Sequence, residues 1–191
     1  MTLKAITLAA ALVATAGLSA CATATPYQPD VRGQAVSGGY SDARIDTNRF
    51  RVNFAGNSLT SRETVERYLL YRAAELTVGE GGDWFTLVER QTDRKARTYV
   101  DPDPMTPYGR YGYWRPYWRY YGPSWGWRAW DPWYGDPFWA DRIDVRTIEK
   151  FEASAEIIVG RGPKPPNDPR AFDAREVMAN LGPTIVRPEP G

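Results

Sequence analysis

Five prolines, at positions 107, 116, 123, 132 and 137, divide a short stretch so finely that no helix of useful length fits between them. A proline also withholds a ladder hydrogen bond, so the same spacing speaks against a central strand. Yet Pro107–Trp139 holds fifteen aromatic residues, among them seven of the chain's 8 tryptophans. Disordered segments are poor in aromatic residues. The stretch therefore reads as a loop insertion, 101–141 in full, whose rings find a surface to lie on. Its arginines, Arg110, Arg115, Arg119 and Arg128, suit cation–π stacking on neighbouring rings, worth roughly 0.5–1 kcal/mol each when exposed. Plain solubility is their simpler role.

On either side of the insertion the hydropathy pattern is regular. In Asn48–Phe54, Phe50, Val52 and Phe54 alternate with Arg49, Arg51 and Asn53, the period of a half-buried strand. Gly56-Asn57 turns the chain, and Thr60-Ser61-Arg62-Glu63 predicts a helix opened by a Thr60–Glu63 capping box and closed by Gly79. Val65, Leu69, Ala73 and Leu76 form its apolar stripe. Arg72 falls inside that stripe, where an unpaired guanidinium is costly. It either snorkels to water or meets a carboxylate or carbonyl cluster as a buried ion pair.

Asp83–Glu89 is apolar on both faces and reads as a central strand, with Arg97–Val100 as a candidate continuation. Ile143–Val159 alternates over a long run, with a bend expected where Thr147 and Glu149 interrupt the apolar set. A second helix starts at Asp168 or at Asp173 and stops at Leu181-Gly182-Pro183. The order strand, helix, strand, insertion, strand, helix predicts an α+β fold: a small antiparallel sheet packed by two helices.

The N-terminus carries an address. Lys4 precedes a short apolar run, Ile6–Gly17, and Leu18-Ser19-Ala20-Cys21 follows. A charge, a short apolar run and a small-residue site mark a secretory signal rather than a transmembrane span. Small residues at 19 and 20 directly before a cysteine, with leucine at 18, resemble the bacterial lipobox. That resemblance implies cleavage before Cys21 and a diacylglycerol on its thiol. An ordinary signal peptide cut after another alanine, with the thiol left free, is the alternative. One acyl chain binds a membrane at roughly 10⁴ M⁻¹, whereas two or more anchor a protein stably. Ala22 stands where an aspartate would signal inner-membrane retention, so the expected place is the outer membrane, facing the periplasm.

The expected divisions are a signal peptide over 1–20, a flexible tether over 21–39, a single domain over 40–185 and a tail over 186–191. Residues 22–39 earn the tether reading by being small, polar and broken by Pro and Gly. Outside the aromatic insertion, chiefly from Gly39-Tyr40-Ser41 to Trp84-Phe85, the chain also resembles the Caulobacter-type small lipoproteins of alphaproteobacteria. The matching stretches are Asn48-Arg49-Phe50-Arg51-Val52, Gly56-Asn57, Thr60-Ser61, Tyr68 to Thr77 and Asp173-Ala174-Arg175-Glu176-Val177. This likeness implies an envelope location and a shared fold. It implies no activity and carries over no catalytic residue.

Composition narrows the chemistry. With His 0 there is no Ser-His, Cys-His or histidine-metal site. The single cysteine is claimed by acylation, so neither a disulfide framework nor thiol catalysis is expected. No cofactor and no metal are called for. Removing residues 1–20 takes Lys4 and no acid, which turns 24 basic against 23 acidic residues into 23 against 23. A balanced surface in the envelope gives no reason to expect nucleic acid.

Four roles then compete for the aromatic segment. Its rings can form a lid over the sheet, or sit at the membrane interface, where Trp and Tyr prefer the headgroup region. They can stack on sugars of peptidoglycan or lipopolysaccharide, or contact an envelope protein, a second copy included. The contact surface would comprise Tyr113, Trp114, Tyr117, Trp118, Tyr120, Tyr121, Trp125, Trp127, Trp130 and Trp133. A carboxylate-based glycan hydrolase using Asp131, Asp136 or Asp141 is the enzymatic alternative, against which Asp-Pro and Gly-Asp-Pro stand as common turn formers. The expectation is a non-enzymatic, lipid-anchored envelope module.

Overall fold

The computed structural model describes residues 23–88, 113–123, 126–130 and 150–188. Among the described residues seven strands form one sheet: β1 (Gly39–Arg44), β2 (Arg49–Ala55), β3 (Trp84–Leu87), β4 (Tyr117–Gly122), β5 (Gly126–Trp130), β6 (Lys150–Gly160) and β7 (Ala171–Asp173). Helix α1 spans Arg62–Gly79 and helix α2 spans Ala174–Leu181. Among the described residues every pairing between these strands is antiparallel. The strand order is β1-β2-β6-β3-β7, and the β4–β5 hairpin joins through β6. The fold is α+β, an open antiparallel sheet packed by two helices, as the hydropathy pattern predicts.

Strand β6 organises the sheet because its eleven residues serve three partners. One edge pairs with β2 over Glu152–Ile158. The other is shared end to end: β4 lies against Lys150–Ser154 and β3 against Ile157–Gly160. Its inward residues, Ala153, Ala155, Ile157 and Val159, are buried against α1 together with Phe50, Val52, Phe54 and Phe85. The small Ala153 and Ala155 let the helix approach where the bulkier phenylalanines of β2 flank it.

The apolar surface of α1 is wider than the expected stripe. Val65, Leu69, Ala73 and Leu76 face the sheet, and Tyr68, Leu70, Tyr71, Ala74 and Thr77 are buried as well. Two further layers account for this. Helix α2 packs beside α1, and residues 25–30 cross its other flank. The helix start also differs by one residue. Ser61 is the cap, its side chain accepting from the Thr64 N–H. Thr60 Oγ instead accepts from the Thr25 and Asn57 N–H groups, so tertiary contacts claim the hydroxyl that a capping box would use. At α2 Asp173 is the cap, accepting from the Glu176 N–H.

The expected tether over 21–39 is corrected from Thr23 onward. Tyr27 and Thr25 are buried, and Gln28–Asp30 brackets Tyr40 with two backbone hydrogen bonds of 2.8 Å. Gly38 and Gly39 make this possible. Their φ values of +92° and +146° disfavour a side chain, and a Cβ at Gly39 would stand 2.4 Å from the Gln28 carbonyl oxygen. The tail is also tied in: the Tyr27 N–H donates to the Val186 carbonyl, and the Val186 N–H donates to Tyr68 Oη. Strands β1 and β7 were not expected from the pattern.

The second correction concerns the aromatic insertion. Within it lies a β-hairpin, and β4 has neighbours on both edges, β5 and β6. Pro116 precedes β4 and Pro123 follows it, so the prolines frame the strand and neither interrupts its ladder. Trp114 and Trp118 are fully buried, meeting Phe85, Phe172 and Phe151 edge-on at 6.0–6.4 Å. The indole N–H of Trp114 finds no acceptor among the described residues, a cost of about 1–3 kcal/mol. Burying the ring, about 200 Å² at about 25 cal/mol/Å², outweighs that. The candidate strand over Arg97–Val100 and the expected bend near Thr147 lie outside the described residues.

Replacing Trp118 with alanine should cost about 3–5 kcal/mol in denaturant unfolding, the range for emptying a large aromatic site in a core. Trp127→Ala, on the outer surface of the same hairpin, should stay within about 0.5 kcal/mol. Equal losses for the two variants would contradict the division of the segment into core and surface.

Candidate functional site

Alternation along the hairpin sorts its aromatic residues. Cross-strand partners share a face, so the Trp118, Tyr120, Phe151 and Ala153 side of β4 and β6 turns inward. Tyr117, Arg119 and Tyr121 turn outward with Trp127, Lys150 and Glu152. On this outer face the Tyr121 and Trp127 rings stand 5.5 Å apart. The Arg119 guanidinium lies 5.0 Å from the Trp127 ring centroid and reaches Glu152 at 3.5 Å. Lys150 Nζ is 5.8 Å from the Tyr121 ring. Trp127 is 40% exposed, which for so large a ring leaves a substantial apolar area in water.

The segment's other residues divide as follows. Tyr113 is exposed, Trp114, Trp118 and Tyr120 are buried, and Tyr117 and Tyr121 are half-buried. Trp130 belongs to β5. Trp125, Trp133, the three candidate aspartates Asp131, Asp136 and Asp141, and Cys21 lie outside the described residues. The expected contact surface is thereby corrected: Trp114, Trp118 and Tyr120 are interior residues. Tyr121 is half-buried and Trp127 exposed on the outer face.

The hairpin tip has a defined place. Tyr121 pairs with Lys150, and the Gly56 N–H donates to the Phe151 carbonyl across the neighbouring edge. The tip therefore lies at the same end of the sheet as the Gly56–Ser61 turn and the start of α1. Thr23, where the described chain begins, is held by that turn, with Asn57 Nδ2 donating to its carbonyl at 2.7 Å.

A second outer feature sits nearer the sheet centre. Glu156 is buried between Arg49 and Arg51, each of which donates to one of its carboxylate oxygens. The hydrogen bond from Arg51 and the nearby Arg49 outweigh burial and hold the Glu156 carboxyl below its ordinary 4.5. This salt-bridged trio joins β2 to β6 across the face opposite α1.

Arg72 resolves in favour of the ion-pair cluster. Its Nε donates to Asp42 Oδ1 at 2.9 Å and its Nη1 to Glu75 Oε2 at 2.6 Å, while its guanidinium covers the Tyr40 ring at 4.3 Å. Tyr27 Oη donates to the same Glu75 oxygen at 2.6 Å. Burial works against the charge on Arg72, but its bonds to Asp42 and Glu75 prevail and strengthen its hold on the proton. Burial, and then the hydrogen bond to Glu75, push the Tyr27 hydroxyl well above the phenol range. The cluster couples the N-terminal arm, β1 and α1, a structural task.

Sequence reasoning missed Tyr27, Glu75, Lys150 and Leu59. A buried Tyr27 was signalled only by being a lone large ring in a small, polar stretch. Lys150 becomes notable only once the register is known, and Leu59 only once its turn is seen to leave it 51% exposed.

Among the described residues no group of three or more Cys, Asp or Glu side chains is placed to hold a metal ion. No helix among them is long and apolar enough to cross a membrane. Compared with protein-family models, curated proteins and solved structures, the chain matches none.

The Glu156 trio carries a pH dependence. Because the folded carboxyl titrates below 4.5, the unfolded chain binds the proton more readily. The trio's stabilisation is therefore complete above that value and is lost as the pH falls through the lower folded one. Glu156→Gln should cost about 1.5 kcal/mol at pH 7, the low end for a charged hydrogen bond because both arginines are partly exposed. It should also flatten the fall in stability below pH 4.5. Urea titrations across that range check this, and superimposable acid limbs for variant and parent would contradict it.

Proposed function

We propose that this protein is a lipid-anchored cell-envelope lipoprotein, held at the periplasmic face of the outer membrane through Cys21. In this reading it is an interaction module whose aromatic hairpin tip contacts the membrane interface. The observation that carries the reading is positional: Tyr121, Trp127 and Lys150 lie at the end of the sheet where the chain comes in from Cys21. Amphipathic Trp and Tyr rings favour the headgroup region, and Lys and Arg side chains reach phosphates from there. The lipobox-like Leu18-Ser19-Ala20-Cys21 supports the anchor. The absence of histidine and the commitment of the one cysteine support a non-catalytic role.

Glycan binding is the second reading. A half-exposed Trp127 beside Glu152 and Arg119 has the makings of a sugar platform. Against it, the Arg119 guanidinium already occupies one face of the Trp127 ring, the surface a sugar would stack on. A cation held over an interfacial tryptophan fits a phosphate-rich surface better.

Two arms test the proposal. Parent protein should incorporate radioactive palmitate and fractionate with the outer membrane, and Cys21→Ser should remain an unlabelled precursor. The non-acylated mature chain should be retained by phosphatidylglycerol-containing vesicles, and Tyr121→Ala with Trp127→Ala should reduce that retention several-fold. A free Cys21 thiol in the soluble periplasmic wash would overturn the anchor. Retention by peptidoglycan sacculi and not by vesicles would favour the glycan reading.

A further inference from the structure

Thr23 is the second residue after Cys21 and is already bound to the domain, its carbonyl accepting from Asn57 Nδ2 at 2.7 Å. Two residues on, the Thr25 N–H donates to Thr60 Oγ at 2.8 Å. Thr25 Oγ accepts from the Asn57 N–H at 2.8 Å and donates to the Ser37 carbonyl at 2.8 Å. Thr25 is 1% exposed. A threonine clasped in this way is an interior residue of the fold and leaves no slack for a tether.

Two residues of fully extended chain span at most about 7 Å. The carbon skeleton of an acylated Cys21 would therefore begin within that distance of Thr23, which the Gly56–Ser61 turn holds through Asn57. That turn carries Ser58 and Leu59, both exposed, and Leu59 is an apolar side chain 51% open to solvent. Leu59 is tied to the same asparagine, its N–H donating to Asn57 Oδ1 at 3.0 Å.

We infer that the domain sits directly on the bilayer in one orientation, with the Leu59 turn as a second membrane contact beside the anchor. The occupant of this contact is the headgroup–acyl boundary of a phospholipid surface. The hairpin tip, at the same end of the sheet, supplies the other flank of the footprint. The opposite end, with the β1–β2 turn at Asp46-Thr47 and the Arg44–Glu80 and Arg175–Asp83 ion pairs, then faces the periplasm. This inference rests on the acylation of Cys21 proposed above. It adds that the distance and orientation are set by the fold and not by a flexible leash.

The test uses the mature acylated protein in vesicles of phosphatidylethanolamine and phosphatidylglycerol containing bromine-labelled lipid. Ser58→Cys or Thr47→Cys supplies one free thiol for a fluorophore, since the thiol of Cys21 is consumed. Emission should be lost at position 58 and kept at 47. A Gly/Ser insert between Ala22 and Thr23 should restore much of the emission at 58. Leu59→Ser, which alters an exposed side chain, should do so in part. Equal quenching at 58 and 47 in palmitate-labelled protein would overturn this inference and leave the anchor standing. Absence of the palmitate label would overturn both.

Discussion

Everything about the shape of this domain near its N-terminus depends on the Thr25 clasp. One threonine satisfies its own amide through Thr60, accepts the Asn57 N–H and reaches the Ser37 carbonyl. It thereby ties three otherwise separate stretches of chain together at a buried point. Buried polar groups must be paired, and each of these pairings is tertiary. The consequence runs outward. Once residues 25–30 are fixed, Tyr27 is laid on α1 between Tyr68 and Tyr71, and its hydroxyl reaches Glu75. Glu75 holds Arg72, Arg72 holds Asp42 of β1, and the edge strand is locked to the helix.

Strand β6 does for the other half of the molecule what the clasp does for the first. It is long enough to pair with β2 along one edge and to hold β3 and β4 in line along the other. A sequence excursion between β3 and β4 therefore leaves and rejoins the same line of hydrogen bonds. The returning strand brings Trp118 into the core, with Trp114 just ahead of it, and leaves Tyr121 and Trp127 outside. Aromatic excess in this chain thus serves two purposes. Buried rings extend a core that α1 alone would not cover, and outer rings form a cation-flanked patch at the end where the chain arrives.

Much of the architecture was legible where one face meets water and the other meets the core. Phe50, Val52 and Phe54 in β2, the Val65–Leu76 stripe in α1 and the inward residues of β6 all obey a simple period. Arg72 was also legible as a conflict, a charge on an apolar stripe, although its partners were not. The failures share a cause. Thr60 looked like a helix cap because local chemistry allows it, and a residue thirty-five positions earlier outbids the helix. Residues 22–39 read as a tether because small polar residues make loops whether exposed or clasped. Proline spacing suggested a loop because the sequence alone does not reveal that Pro116 and Pro123 stand just outside a strand. Which rings of β4 and β5 turn outward and which turn inward is set by the hairpin register, which hydropathy does not reveal.

The central claim is that Thr23–Asp30 belongs to the folded domain. Native-state hydrogen exchange of the Thr25 amide tests it most directly, because that N–H is buried and bonded to Thr60. The account predicts that it exchanges only through large-scale unfolding, with protection comparable to the Val52 and Phe54 amides of β2. Exchange at the rate of an open loop, with β2 still protected, would contradict it.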